Sequence, residues 1–303
     1  GLENAPPNEY LTDRLNNEAV NFIAQNAHRP WLLYLSHFSV HTPIEAKREL
    51  VDTYAQKTPG TLHHNVAMAT MIKATDEGIG RILDSLDHLN LTTNTVVIFY
   101  SDNGGYGPAT DMYPLKGYKG TYYEGGIRVP LAVRWPGHVA PGSVSDALVT
   151  GVDIFPTICE IMGAPLPAQQ IADGQSLLPV LSGQDANKDR PLFWHFPAYL
   201  QSYRETVDEQ RDPLFRSRPV SVVRLGDWKL HHYYEDDAYE LYNLRQDIGE
   251  THNVYSDFPA PAAQLRQVLN DWIKTTHADV PRLPNPDFNE AKHARALAAV
   301  AKP

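Results

Sequence analysis

Three near-continuous apolar runs of strand length constrain this chain more than any other feature: Trp31-Leu-Leu-Tyr-Leu-Ser-His-Phe-Ser39, Thr95-Val-Val-Ile-Phe-Tyr100 and Leu131-Ala-Val-Arg-Trp135. Runs of this kind belong to strands covered on both faces, as in parallel sheets, rather than to half-solvated antiparallel ones. Amphipathic patterns separate them. Thr12 or Asp13 can cap a helix over about residues 13–27, with Leu15, Val20, Phe22, Ile23 and Ala27 on its inner face. A longer helical pattern runs from about His64 to Leu89, where Ile72, Ile79, Ile82, Leu83 and Leu86 recur at spacings of 7, 3, 1 and 3. A third spans Asp153 to Met162 and carries Ile154, Phe155, Ile158 and Ile161. Buried strands alternating with helices predict an α/β domain with a largely parallel sheet. Such sheets gather ligands at the carboxyl ends of their strands. His37/His41 and Asp102/Asn103 follow two of these strands directly.

The pattern changes after about residue 185. Pro191-Leu-Phe-Trp-His-Phe196 reads as a short aromatic strand, and Val220–Leu225, Trp228–Tyr234 and Tyr239–Leu244 as three more. Gly226-Asp227 between alternating apolar residues signals a hairpin. A closing helix is expected over Ala260–Thr276, using Leu265, Val268, Leu269, Trp272 and Ile273. The predicted division is therefore residues 1–190, part of an α/β catalytic domain, and 191–303, a smaller α+β domain with an antiparallel sheet. The first nine residues read as a lead-in, and the Pro-rich tail after Asp279 as surface chain.

Charge and cysteine usage remove several functions. With 26 Lys+Arg against 36 Asp+Glu, the net charge is −10, and no basic run of five appears. Phosphate-backbone binding to nucleic acid is not expected of such a chain. A single Cys159 permits no internal disulfide and excludes a zinc finger or zinc deaminase. No stretch approaches the ~18 apolar residues of a membrane span. The polar start, Gly-Leu-Glu-Asn-Ala-Pro-Pro-Asn-Glu, has no signal-peptide core and no initiator Met.

Three segments could carry chemistry. Asp102 and Asn103, followed by Gly104-Gly105, offer a carboxylate and a carboxamide oxygen of the kind a hard divalent cation takes. The same residues also read as an Asx turn ending the strand, and two oxygens do not complete a site. His41, in His37-Phe-Ser-Val-His41-Thr-Pro43, leaves a strand and meets a proline, so the pair lacks the helical geometry of a zinc motif. Its imidazole can donate to an anionic oxygen or protonate a leaving group, or it can be purely structural. The densest signal is Pro114-Leu-Lys-Gly-Tyr-Lys-Gly-Thr-Tyr-Tyr-Glu-Gly-Gly-Ile-Arg-Val-Pro130. Lys116 and Lys119 among glycines could face a tetrahedral anion, or the loop could simply be solvated. Glu124 and Arg128, four apart, can pair to brace it. No P-loop, dinucleotide fingerprint or Gly-x-Ser-x-Gly elbow occurs.

In order along the chain, Ser-Asp-Asn-Gly-Gly, the Pro114–Pro130 segment, Trp-Pro-Gly and Val-Asp-Ile-Phe-Pro-Thr-Ile resemble the type I, formylglycine-dependent sulfatases of the alkaline phosphatase superfamily. The resemblance covers about Tyr10 to Gly183, and Arg224-x-Gly-Asp-Trp-Lys-Leu with Glu240-Leu-Tyr-Asn-Leu extends it into the family's C-terminal subdomain. It implies an alkaline-phosphatase-like sheet sandwiched by helices, incomplete here, and hydrolysis of sulfate esters, with a carbohydrate as the expected carrier. It also implies that Asp102 and Asn103 form half of a calcium or magnesium site, that Lys119 contacts the sulfate, and that His41 sits at the leaving-group oxygen. Lys116, where the family often has arginine, and His195, in Phe-Trp-His-Phe-Pro, are implied substrate contacts. A divalent ion, lysines and an imidazole would together stabilise charge on the sulfuryl oxygens and the leaving alkoxide.

The family's nucleophile, a Cys or Ser in Cys/Ser-x-Pro-Ser/Thr-x-Arg that becomes formylglycine, has no counterpart among these residues. Cys159, in Ile-Cys-Glu-Ile, reads as helix packing. The Asp-Asp metal pair and the Gly-Lys-Trp-His-like segment are absent too. The resemblance thus implies the C-terminal portion of a sulfatase, inactive by itself. An apolar sheet edge is then expected to be covered by the N-terminal segment or by self-association. The residues themselves leave the compartment open, and only the resemblance implies export to a periplasmic, secreted or lysosomal-type one. A phosphate or phosphonate monoester hydrolase of the same superfamily, and a non-catalytic remnant binding sulfated glycans, are the alternatives.

Overall fold

The computed structural model describes residues 5–184, 187–203 and 211–300. Its contacts divide into two compact units, residues 1–99 with 132–141, and residues 100–131 with 142–303. Residue 190, the expected boundary, lies inside the second. Residues 1–4 of the expected lead-in fall outside the described residues.

In the first unit, α1 (Leu11–Asn26) packs on α3 (Val66–His88), and α2 (Arg48–Ala55) joins them. Ala19 and Ile23 of α1, with Met68, Met71 and Ala74 of α3, are buried, following the 3–4 spacing of one helical face. Asn65 caps α3 by accepting from the Met68 N–H at 2.9 Å. Strand β1 (Val97–Tyr100) pairs with β2 (Leu131–Arg134) in a two-stranded sheet, where two of the three apolar runs were expected to be strands.

The third run behaves otherwise. Residues 31–38 form no ladder, although their exposure alternates strictly, with Leu32, Tyr34 and Phe38 at 61, 88 and 71%. The expectation of a strand buried on both faces is corrected. A strand is completed by hydrogen-bonding neighbours, and no described residue supplies one. The largely parallel sheet is likewise reduced to β1 and β2.

The second unit is built on a four-stranded antiparallel sheet of order β3-β6-β7-β8, formed by β3 (Leu192–Phe196), β6 (Val220–Leu225), β7 (Trp228–Tyr233) and β8 (Ala238–Asn243). A separate ribbon pairs β4 (Leu200–Gln201) with β5 (Phe215–Ser217). Side chains alternate between the faces of a strand, and the two faces of this sheet differ sharply. Val223, Leu230 and Leu241 form one layer and pack on Ala262, Leu265 and Leu269 of α7 (Pro259–Thr276), beside a stacked Phe193–Trp272 pair at 4.8 Å. On the other face the register aligns Val222 with His231 and Glu240, and Arg224 with Lys229 and Tyr242. That face is charged, and Lys229 and His231 are nevertheless fully buried.

Short helices α4 (Glu124–Ile127), α5 (Ile154–Ile161) and α6 (Leu178–Leu181) belong to the same unit. Asp153, buried before α5, accepts from the Thr150 and Gln175 N–H groups at 2.8 and 2.9 Å and pairs with Arg190 at 2.9 Å. The tail is not merely surface chain: α8 (Glu290–Val300) forms from an Ala-rich stretch, with Asn289 accepting from the Lys292 N–H at 2.8 Å. No proline falls between Pro286 and Pro303, so nothing within that stretch opposes a helix. Among the described residues no helix is long and apolar enough to cross a membrane.

Candidate active site

Two loops of the second unit meet where β1 ends. The Gly104 N–H donates to the Gly126 carbonyl at 3.0 Å, the Lys119 N–H to Gly105 at 2.9 Å, and the Ser101 N–H to Pro130 at 3.3 Å. The Ser101–Gly105 turn and the 114–130 loop are thereby laced together through their backbones. The lacing needs glycine: a Cβ at Gly104 would lie 1.8 Å from the Gly125 carbonyl oxygen, and one at Gly125 would lie 2.1 Å from the Gly117 oxygen. Four of the sequence-predicted residues, Asp102, Asn103, Lys116 and Lys119, are carried on these two loops.

Asp102 is exposed, and its Oδ1 accepts from the Asn103 N–H at 2.9 Å. Asn103 Nδ2 donates to the Gly104 carbonyl at 3.0 Å. These contacts are the Asx-turn geometry, yet they leave Asp102 Oδ2 and Asn103 Oδ1 without a donor among the described residues. Two free hard oxygens on adjacent residues suit a divalent cation as part of a donor set. No group of three or more His, Cys, Asp or Glu side chains able to hold a metal occurs among the described residues.

The two lysines differ in employment. Lys116 Nζ donates to the Glu250 carbonyl at 3.4 Å and lies 4.1 Å from the centre of the Tyr123 ring. Lys119 is held by its backbone, and its ammonium makes no hydrogen bond or ion pair among the described residues. His195, in β3, has both ring nitrogens engaged: Nδ1 with Ser221 Oγ at 2.7 Å and Nε2 with the Asp279 carbonyl at 3.0 Å. A substrate contact through this ring would have to displace one of them. His41 belongs to the first unit, exposed, with Nδ1 2.9 Å from the Thr42 carbonyl oxygen.

Beneath the 114–130 loop lies a buried ionic cluster that the sequence indicated only in part. The expected Glu124–Arg128 pair forms at 3.2 Å. The other Glu124 oxygen meets Lys229 Nζ at 3.0 Å, and the same ammonium meets Glu250 Oε1 at 2.9 Å. Glu250 Oε2 in turn accepts the Glu124 N–H at 2.5 Å, and His231 Nε2 lies 3.3 Å from Glu250 Oε1. Burial pushes the Glu250 carboxyl up, but Lys229, the His231 contact and the Glu124 N–H outweigh it and hold the group down at about 2. Burial drives the His231 imidazole the other way, below its ordinary range, and Lys229 adds to that. Glu250 is thus the anion and His231 the neutral partner. Tyr123 stacks on His231 at 5.0 Å and donates to Glu240 at 2.8 Å. The loop bearing both lysines is therefore clamped to the charged face of the sheet. Lys229 alternates in a strand with apolar residues, a pattern that by itself suits a solvated position. Only its cross-strand alignment under Glu124 shows otherwise.

The likeness to known proteins follows the same segments. The sequence model of the sulfatase family matches residues 2–164, and that of the N-sulphoglucosamine sulphohydrolase C-terminal region matches 118–278. A sulfatase of Formosa agariphila is 35% identical, with 91% of this chain aligned to 52% of that protein. The steryl-sulfatase of Mus musculus is 36% identical over 95% of this chain and 48% of its own length. The crystal structure of Ps i-CgsB in complex with k-i-k-neocarrahexaose superimposes with a TM-score of 0.75 at 27% identity, covering 98% of this chain and 61% of that one. The chain spans about half the length of the curated relatives it matches. Laced glycine loops, a family match over more than half the residues and a shared fold lead to one assignment: the chain belongs to the sulfatase family, within the alkaline phosphatase superfamily.

Proposed function

We propose that the protein carrying this chain hydrolyses sulfate esters, with a sulfated carbohydrate as its substrate. One observation carries the reading: the Lys119 ammonium, unengaged among the described residues, stands on a loop whose backbone is fixed to the Asp102–Asn103 turn and whose base is clamped by Glu124, Lys229 and Glu250. A fixed cation is what a developing sulfuryl charge requires, because no reorganisation is spent when the charge appears. Lys119 then binds a sulfate oxygen. His41 donates a proton or hydrogen bond to the departing alkoxide. Lys116, tied to Glu250 and Tyr123, positions the loop and lends its charge from behind. His195 reaches substrate only by exchanging a present partner.

Asp102 and Asn103 would supply two oxygens to a divalent ion, calcium or magnesium, which when bound would add Lewis-acid stabilisation of the sulfate. The formylglycine nucleophile general to the family would come from another segment. Names of relatives support the carbohydrate class, since the structurally similar Ps i-CgsB was solved with an oligosaccharide. The alternating exposure of residues 31–38 supports a strand that docks against further sheet strands from the rest of the protein.

The test compares sulfate and phosphate monoesters of the same sugar on the full gene product, and on this chain alone. Turnover of the sulfate ester by the full product, and none by the chain alone, is expected. Preference for phosphate would overturn the assignment.

A further inference from the structure

Gly120, directly after Lys119, adjoins a group of polar atoms with no partner. A Cβ placed there would lie 2.7 Å from both Arg216 Nε and Leu200 Cδ2. Arg216 Nε and Nη1 are buried without a hydrogen-bond acceptor, and so are Thr121 Oγ1, the next residue along, and Ser202 Oγ, just past β4. Buried donors are almost always satisfied, so a cluster of orphans beside a candidate catalytic lysine calls for a missing partner.

Charge balance identifies what that partner is. Arg211, Arg216 and Arg218 all line one cleft together with Tyr122, Phe215 and Tyr233. Arg211 is paired with Asp236 at 2.5 Å, and Arg218 with Asp212 at 2.7 Å and Glu235 at 3.1 Å. Among the described residues Arg216 has no carboxylate partner. Its guanidinium is instead laid on the Tyr203 ring, 3.9 Å from the centroid, and Tyr203 packs against Tyr106 and Tyr118 at 5.1 and 5.5 Å. Stacking on Tyr203 and the close approach of the Gly120 backbone hold the fork in place. A preorganised, unpaired guanidinium is suited to bidentate contact with an oxyanion.

We propose that Arg216 binds a second anionic substituent, a carboxylate or a further sulfate, on the same sugar or its neighbour whose ester lies at Lys119. Resting on the sulfate-ester reading above, this makes the enzyme selective for multiply charged, acidic carbohydrates.

The test is calorimetric binding of three probes to the full protein: galactose 6-sulfate, galactose 2,6-disulfate, and a galactose 6-sulfate linked to a uronic acid. The wild type is expected to bind at least one doubly anionic probe about tenfold tighter than the singly charged one. The probe that gains tells sulfate from carboxylate. Arg216→Gln should erase the preference while leaving galactose 6-sulfate affinity unchanged, with a small loss of thermal stability from the Tyr203 stacking it gives up. Arg216→Lys should restore only part of it, since it keeps charge without the fork. No preference in the wild type, a preference surviving in Arg216→Gln, or equal losses for all probes would overturn the proposal. Ester turnover, followed in parallel, tests the other reading separately. An Arg216-dependent preference without turnover would sink the hydrolase assignment and leave this subsite standing.

Discussion

Replacing Lys229 with methionine isolates the clamp under the lysine loop. Methionine keeps the length and much of the volume, so the change is one of charge. In the wild type a single ammonium lies 3.0 Å from Glu124 and 2.9 Å from Glu250. Without it, Glu124 retains Arg128 at 3.2 Å and Arg224 at 3.6 Å. Glu250 retains only the Glu124 N–H and a neutral His231. It becomes a buried carboxylate with no counter-charge. Removing one partner of a buried ion pair costs about 3–5 kcal/mol, and that is the loss expected in urea denaturation followed by tryptophan fluorescence.

The pH dependence sharpens the test. The wild-type Glu250 carboxyl falls from an ordinary 4.5 to about 2. A depression of that size is worth on the order of 3 kcal/mol, present above pH 4.5 and lost as the pH drops toward 2. In Lys229→Met, burial has no opposing cation and raises the carboxyl above its ordinary value. The variant should therefore be most stable in mild acid and lose stability as the pH rises through the raised value, the reverse of the wild type. Adding Glu250→Gln to Lys229→Met should recover much of the loss and flatten the profile. A loss under about 1 kcal/mol, or a variant profile with the wild-type sign, would refute the clamp.

Three further outcomes are expected. Gly104→Ala drives a Cβ into the Gly125 carbonyl, which as backbone has nowhere to go, and should lower stability by about 1–3 kcal/mol in thermal unfolding. Lys119→Ala should leave the melting temperature of the full protein unchanged, since its ammonium has no partner among the described residues, yet cut sulfate-ester turnover by roughly 100-fold or more in steady-state assays. Asp102→Ala should weaken calcium binding by about tenfold or more, read by calorimetry, because each carboxylate lost reduces the ligand charge that sets affinity.

Much of the local structure was legible along the chain. The 3–4 spacing of Ile79, Ile82 and Leu86 marked α3, Gly226-Asp227 marked the β6–β7 turn, and Glu124 with Arg128 marked a brace in the loop. Family membership was equally legible, because the glycines that let two loops touch are spaced by the contact itself. Each of these is a local matter of a few residues and their period. Trp31–Ser39 shows where that reasoning ends: composition reports the face a strand wants, but a ladder exists only when a neighbour is present. Lys229, His231 and Arg216 mark the same boundary. Alternation assigns a polar strand residue to the wet side of a sheet, and only the tertiary structure, by laying the 114–130 loop over that side, turned Lys229 and His231 into fully buried groups. Sequence order specifies which groups are available. Distance through space decides which of them face a counter-charge, and in a low-dielectric interior that decides everything about their ionisation.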